Sequence, residues 1–101
     1  MLILETKLVG EEMQIFLSGS IYVDDATEIR ETFTYLMNKG HKFFLVDLSQ
    51  VDYIDCMGLG ILIYIRNSLV NNDGDVKLTG VHGLFEKLVE LTKMTNVFEI
   101  V

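Results

Sequence analysis

The sequence predicts one α/β domain: a mixed, mostly parallel sheet of four to five strands with helices, in the order β-β-α-β-α-β-α-(β). Three observations carry this. Apolar runs of strand length alternate with longer segments whose apolar residues recur every three to four positions. Phe43 to Leu48 is apolar but for Asp47, the pattern of a strand covered on both faces. The chain has 101 residues, half of them hydrophobic, enough to bury one core without disulfide or metal staples.

Each element has its own local signal. Leu2 to Val9 and Met13 to Ser18 read as strands, with a hairpin turn at Gly10 between them. Asp25-Ala-Thr-Glu28 has capping-box spacing: Asp25 can accept from the backbone of residue 28, and Glu28 can reach back. Behind it Ala26, Ile29, Phe33, Leu36 and Met37 recur at helical spacing, and Gly40 fits the helix stop. After the apolar strand, Ser49 to Met57 is expected to be a loop, with Cys56 one or two residues ahead of the next helix. That helix is expected over Gly58 to Asn71, ending near Asn72-Asp73-Gly74. Val76 to Val81 reads as a strand, and Leu84, Phe85, Leu88 and Leu91 mark a third helix. Val97 to Val101 is a last short strand or a tail. Strands alternating with helices imply right-handed crossovers, hence parallel neighbours, with the hairpin adding an antiparallel strand at one side. No linker or repeat divides the chain, so the domain is expected to span residues 1–101.

Bulk properties narrow the function. The net charge is -7, which argues against nucleic acid, whose binding needs a basic surface to replace phosphate counterions. A single cysteine forms no internal disulfide. The longest unbroken apolar run, Ile61 to Ile65, is too short to span a bilayer. No basic and apolar leader opens the chain, so a cytoplasmic protein without membrane insertion is expected. His41 and His82 stand apart from any group that would orient them, and no Cys/His set has metal spacing. No Gly-x-x-x-x-Gly-Lys pattern supports nucleotide binding. Neither an enzyme, a metal nor a cofactor is expected.

The informative segment is Ser49 to Met57, at the carboxyl end of a buried strand, where open α/β sheets place their sites. Cys56 would face the free N–H groups and positive dipole end of the following helix. Such a place suits an anion or a phosphorylated side chain and tends to lower a thiol's pKa. Two readings of Cys56 stay open, a redox sensor and a small apolar filler. Asp55 can cap the helix, orient a partner, or do both. At 100° per residue Leu59, Leu62, Ile63, Leu69 and Val70 fall on one side of the helix. Ile61 and Ile65 widen that arc, and Arg66 falls inside it. The breadth fits either a helix covering a small sheet, with Arg66 snorkelling, or a partner surface including Gly60, Ile61, Tyr64 and Ser68.

The stretch FFLVDLSQVDYIDCMGLGILI, residues 43–63, resembles the signature of the STAS domain, as found in bacterial anti-sigma factor antagonists. That signature is a buried strand ending in Asp-Leu-Ser, a short loop, then Asp-Ser-Ser/Thr-Gly-Leu-Gly and a helix. The segments IFLSGSIYVDDATEIRETF and VKLTGVHGLFEKLVELTKMTNVFEIV are similar to the family's first strand–helix unit and its closing strand, helix and tail. The resemblance implies a protein-binding regulator whose partner is an anti-sigma factor that is also a serine kinase, and so frees a sigma factor. It implies contacts through Asp55, Cys56, Met57, Gly58, Leu59, Gly60, Ile61 and Tyr64, from a monomer or weak homodimer. In the family, the kinase phosphorylates the serine after the motif aspartate. That serine maps to Cys56 and the next hydroxyl to Met57, so the implied phosphoswitch lacks its acceptor. The family's acidic residue after the strand glycine is also missing, Ser20 following Gly19 here. The alternatives are a STAS scaffold subunit, in a signalling complex or lipid transporter, and a redox-responsive thiol protein using Cys56.

Overall fold

A two-residue turn, Gly10–Glu11, folds β1 (Leu2–Val9) back onto β2 (Glu12–Ile21). Gly10 has φ +62°, which only glycine adopts freely and which the first position of such a turn requires. The structure is a computed structural model. It describes residues 2–91, 93 and 98–101, apart from the side chains of Val23, Cys56, Met57, Leu84, Phe85, Leu88 and Val89. A 3-10 turn, Val23–Asp25, leads into α1 (Ala26–Asn38), followed by β3 (Phe43–Ile54) and α2 (Cys56–Val70). Then come β4 (Asp75–Thr79), α3 (Gly83–Leu91) and β5 (Glu99–Ile100). The strands lie in the order β1-β2-β3-β4-β5, antiparallel between β1 and β2 and parallel thereafter. This is the expected mixed α/β sheet, with the closing strand present as Glu99–Ile100; Val97 lies outside the described residues.

The core forms on one face of the sheet. Met13, Ile15 and Leu17 of β2, Phe44, Val46 and Leu48 of β3, and Val76 and Leu78 of β4 are buried. They belong to one cluster with Ile29, Phe33 and Leu36 of α1 and Leu59, Leu62, Ile65 and Leu69 of α2. The Phe33 and Phe44 rings sit 5.1 Å apart, fixing α1 on the sheet. The other face is less covered: Phe43 is 45% exposed, and Leu45 and Asp47 are only partly buried. The expectation that Phe43 to Leu48 is covered on both faces therefore holds for one. Helix α2 also differs in detail from its expected arc. Ile65 belongs to the buried row, Ile63 is partly buried and Val70 is exposed, because the buried residues step by three and four from Leu59.

The helix ends follow from local chemistry. Gly40, at φ +98°, closes α1: its N–H donates to the Met37 carbonyl (3.0 Å) and that of His41 to Leu36 (3.2 Å). The capping box at its start does not form. Asp25 already lies in the right-handed helical region, so its carboxylate cannot reach forward. Instead Asp25 Oδ2 accepts from the Tyr22 N–H (2.8 Å) and closes the 3-10 turn. After β4, Gly80 has φ +73°, and a Cβ there would come within 2.6 Å of the Ser49 backbone N. Strand β4 therefore ends at Thr79, short of the expected Val81. Of the residues expected to mark the third helix, Leu84, Phe85 and Leu88 have side chains outside the described set, and Leu91 is exposed.

The longest departure concerns β3, which continues through Ser49 to Ile54 where a loop is expected. Its pairing with β2 steps from Phe16↔Asp47 to Ser18↔Gln50, and from Gly19↔Val51 to Ser20↔Tyr53. Each step is an extra residue on β3, a bulge. Buried positions accordingly shift from every second residue, Phe44, Val46 and Leu48, to every third, Val51 and Ile54. Helix α2 then begins at Cys56 itself, so Cys56 lies within the first turn and not ahead of it.

The two glycines of the motif have opposite surroundings. A Cβ on Gly58 would lie 2.9 Å from both Ile21 Cγ2 and Ile54 Cγ1, whereas one on Gly60 would meet nothing within 4 Å. Gly58→Ala is thus expected to destabilise the fold by about 1–3 kcal/mol through overpacking. Gly60→Ala should stabilise it by about 0.5–1 kcal/mol through helix propensity. Urea unfolding of both variants against wild type checks the sign of each. A Gly58→Ala protein as stable as wild type would refute the close packing.

Candidate functional site

The site lies where β2 and β3 end and α2 begins. Ile21 pairs with Ile54, and the Asp55 N–H donates to the Ile21 carbonyl at 3.2 Å, holding the two strand ends together. Asp55, in the extended conformation, is the N-cap of α2. Its Oδ1 accepts from the Gly58 N–H at 2.8 Å, and its carbonyl accepts from Leu59 at 3.0 Å. The capping role expected for Asp55 is therefore present. Cys56 and Met57 form the first turn of α2, and their side chains lie outside the described residues.

The remaining motif residues divide by exposure. Gly58 is buried against Ile21 and Ile54, and Leu59 is 7% exposed within the core. Both face the sheet, and they seat the start of α2 against the strand ends. Gly60 is exposed, with open space above it, and Tyr64, one turn further on, is 55% exposed. Ile61 is partly buried against the core. Ser68 is half-buried and its hydroxyl donates to the Tyr64 carbonyl (3.0 Å). Arg66 is half-buried: its Nη1 donates to Asn67 Oδ1 (3.3 Å), while its Nε is buried with no hydrogen-bond partner among the described residues.

Two features escape a reading of the sequence. Tyr22 and Tyr53, both nearly half exposed, pack with tilted rings whose centroids are 5.3 Å apart. They lie far apart in the chain, and only the bulged register that sets Ser20 beside Tyr53 brings them together. Tyr64 also lines a shallow groove between α1 and α2, with Arg30, Glu31, Thr34, Tyr35 and Asn38. Tyr35 is itself exposed, with Lys39 Nζ 4.7 Å from its ring centre. Within β3, Asp47 Oδ1 accepts from both the Ser49 N–H (2.9 Å) and the Ser49 hydroxyl (2.6 Å). The arrangement is an exposed, mixed aromatic and acidic surface around a capped helix start. Among the described residues, no helix is long and apolar enough to cross a membrane.

Comparison with known proteins agrees with this architecture. The anti-sigma-B factor antagonist of Listeria monocytogenes is 27% identical over 90 residues, 89% of this chain and 79% of the relative. That of Staphylococcus aureus is 25% identical over 97 residues, 96% of this chain and 90% of the relative. Among solved structures, an anti-sigma factor antagonist from Mycobacterium paratuberculosis has a TM-score of 0.88 at 16% identity, over 99% of this chain and 85% of that one. The Bacillus cell fate determinant SpoIIAA, in its phosphorylated form, has a TM-score of 0.79 at 15% identity, over 98% and 91%. These structural likenesses establish the fold. The sequence pattern of the STAS domain extends over residues 4–101, through both strand ends, the Asp55 cap and α2, and the chain belongs to the STAS domain family.

Proposed function

We propose that this chain is a cytoplasmic anti-sigma factor antagonist that binds an anti-sigma factor of the serine-kinase type. It docks through the Asp55–Met57 turn and the outer side of α2, at Gly60, Ile61 and Tyr64. The observation that carries this is Gly60. A glycine in an exposed helix interior weakens the helix, and nothing in the fold occupies the space where its side chain would be. A bare helix surface there, followed one turn later by an exposed tyrosine, suits close approach by a second backbone. The relatives' names, anti-sigma-B factor antagonist, support the partner class.

An anti-sigma kinase captured from the native cytoplasm on immobilised chain supplies the ligand for titration. Tyr64→Ala is expected to weaken its binding by about 1–2 kcal/mol, the range of an interface anchor, with little change in folding stability. Gly60→Ala is expected to weaken binding while raising stability. That opposition separates a contact role from a structural one. Unchanged affinity in both variants would remove this side of α2 from the interface.

The turn is further proposed to be binding-competent without a phosphate switch, since neither residue 56 nor residue 57 carries a hydroxyl. The Ser49 hydroxyl nearby is engaged by Asp47. Incubation with the captured kinase and ATP, followed by mass spectrometry, should show no phosphate within residues 49–60. Cys56→Ser should create an acceptor and make the complex ATP-sensitive. Phosphate on wild-type Ser49 would overturn this reading.

A further inference from the structure

The outer edge of the sheet is unusually permissive. Strand β1 pairs with β2 over its whole length, from Leu2↔Gly19 to Val9↔Glu12, with no register shift. Among the described residues nothing pairs with its other side. Edge strands are commonly blunted by proline, a bulge or shortness. Here there is no proline, no bulge and eight residues of strand. Three large apolar side chains stand on it half in solvent: Ile3 (52%), Leu8 (52%) and Val9 (46%).

We propose that β1 pairs antiparallel with β1 of a second copy, about a two-fold axis at Thr6, to make one continuous sheet across a homodimer. The segment Ile3-Leu4-Glu5-Thr6-Lys7-Leu8-Val9 is self-complementary about Thr6. In that register Glu5 faces Lys7 of the second copy and Lys7 faces its Glu5. Leu4 faces Leu8, Ile3 faces Val9, and Thr6 faces Thr6. Opposite charges and apolar pairs directly across two strands are the stabilising combinations, and like charges the destabilising ones.

Hydrogen-bond parity allows this register. The two-residue turn makes Val9–Glu12 the closing hydrogen-bonded pair, so the odd-numbered residues of β1 bond to β2. Leu4, Thr6 and Leu8 therefore point their N–H and C=O groups outward. Centring the two-fold on Thr6 brings these groups opposite one another. The neighbouring allowed registers centre on Glu5 or Lys7, and each sets that charged residue against its own copy. The charges that would otherwise protect an edge here select one pairing.

Charge exchange tests this by sedimentation across a concentration series. Wild type is expected to dimerise as concentration rises. Glu5→Lys and Lys7→Glu should each weaken the dimer about tenfold or more, because each sets two like-charge pairs in place of two opposite ones. The double exchange should restore dimerisation. A mixture of the two single variants should form a heterodimer tighter than either alone. Thr6→Pro should abolish the dimer, its lost N–H being one that faces outward, with the far-UV circular dichroism unchanged. A wild type that stays monomeric throughout the series overturns the proposal, as does a dimer insensitive to Thr6→Pro and both charge reversals. If one variant fails to fold, the mixing experiment with charge pairs moved to Ile3 and Val9 reads the same register.

Discussion

The contact of Gly58 with Ile21 and Ile54 governs the arrangement where β2 and β3 end and α2 begins. Only a residue without a side chain lets the first turn of α2 lie that close to the ends of two strands. With the turn seated, the Asp55 carboxylate reaches the Gly58 N–H, and the Asp55 N–H reaches the Ile21 carbonyl. One close approach thus joins β2, β3 and α2 at a point. It also sets the rotation of α2, turning Leu59, Leu62, Ile65 and Leu69 into the core and leaving Gly60 and Tyr64 outside. The exposed surface is the other side of the same packing decision.

Much of the fold was legible because its strongest signals are local. The hairpin at Gly10, the Gly40 stop and the Asn72–Gly74 helix end each depend on a few adjacent residues, and each is found where those residues stand. The extension of β3 was not legible, for a physical reason. Its two bulges lengthen the spacing of buried residues from two to three between Leu48, Val51 and Ile54. A search for alternation ends where alternation ends, although the pairing with β2 continues. Asp25 misled differently. Its spacing to Glu28 fits a capping box, but a preceding 3-10 turn had already fixed its backbone.

The candidate site was legible in part. Asp55 as a cap and Tyr64 as an exposed residue follow from helix geometry once the helix is placed. Leu59 shares the motif with Gly60 yet points inward, a distinction of about 100° that depends on knowing where the sheet lies. The Tyr22–Tyr53 contact was invisible, since each tyrosine alone is an ordinary surface residue and their proximity is a product of the bulged register.

The bulges have a consequence for how the two ends of the sheet can be read. Beyond Asp47, β3 has no strand partner on the β4 side among the described residues, because β4 ends at Thr79 and Gly80 packs against Ser49 outside the ladder. That free backbone is irregular, and an irregular edge cannot template an incoming strand, whose hydrogen bonds need an even ladder. A contact made near Tyr53 and Asp55 would therefore pass through side chains. A surface read that way can drift toward a new partner one substitution at a time, with the backbone unmoved. A straight edge such as β1 offers every added strand the same repeating groups, so that in the proposed pairing selectivity would rest on a few charges. One small sheet thereby has two kinds of edge, an irregular one that offers side chains and a straight one that offers backbone.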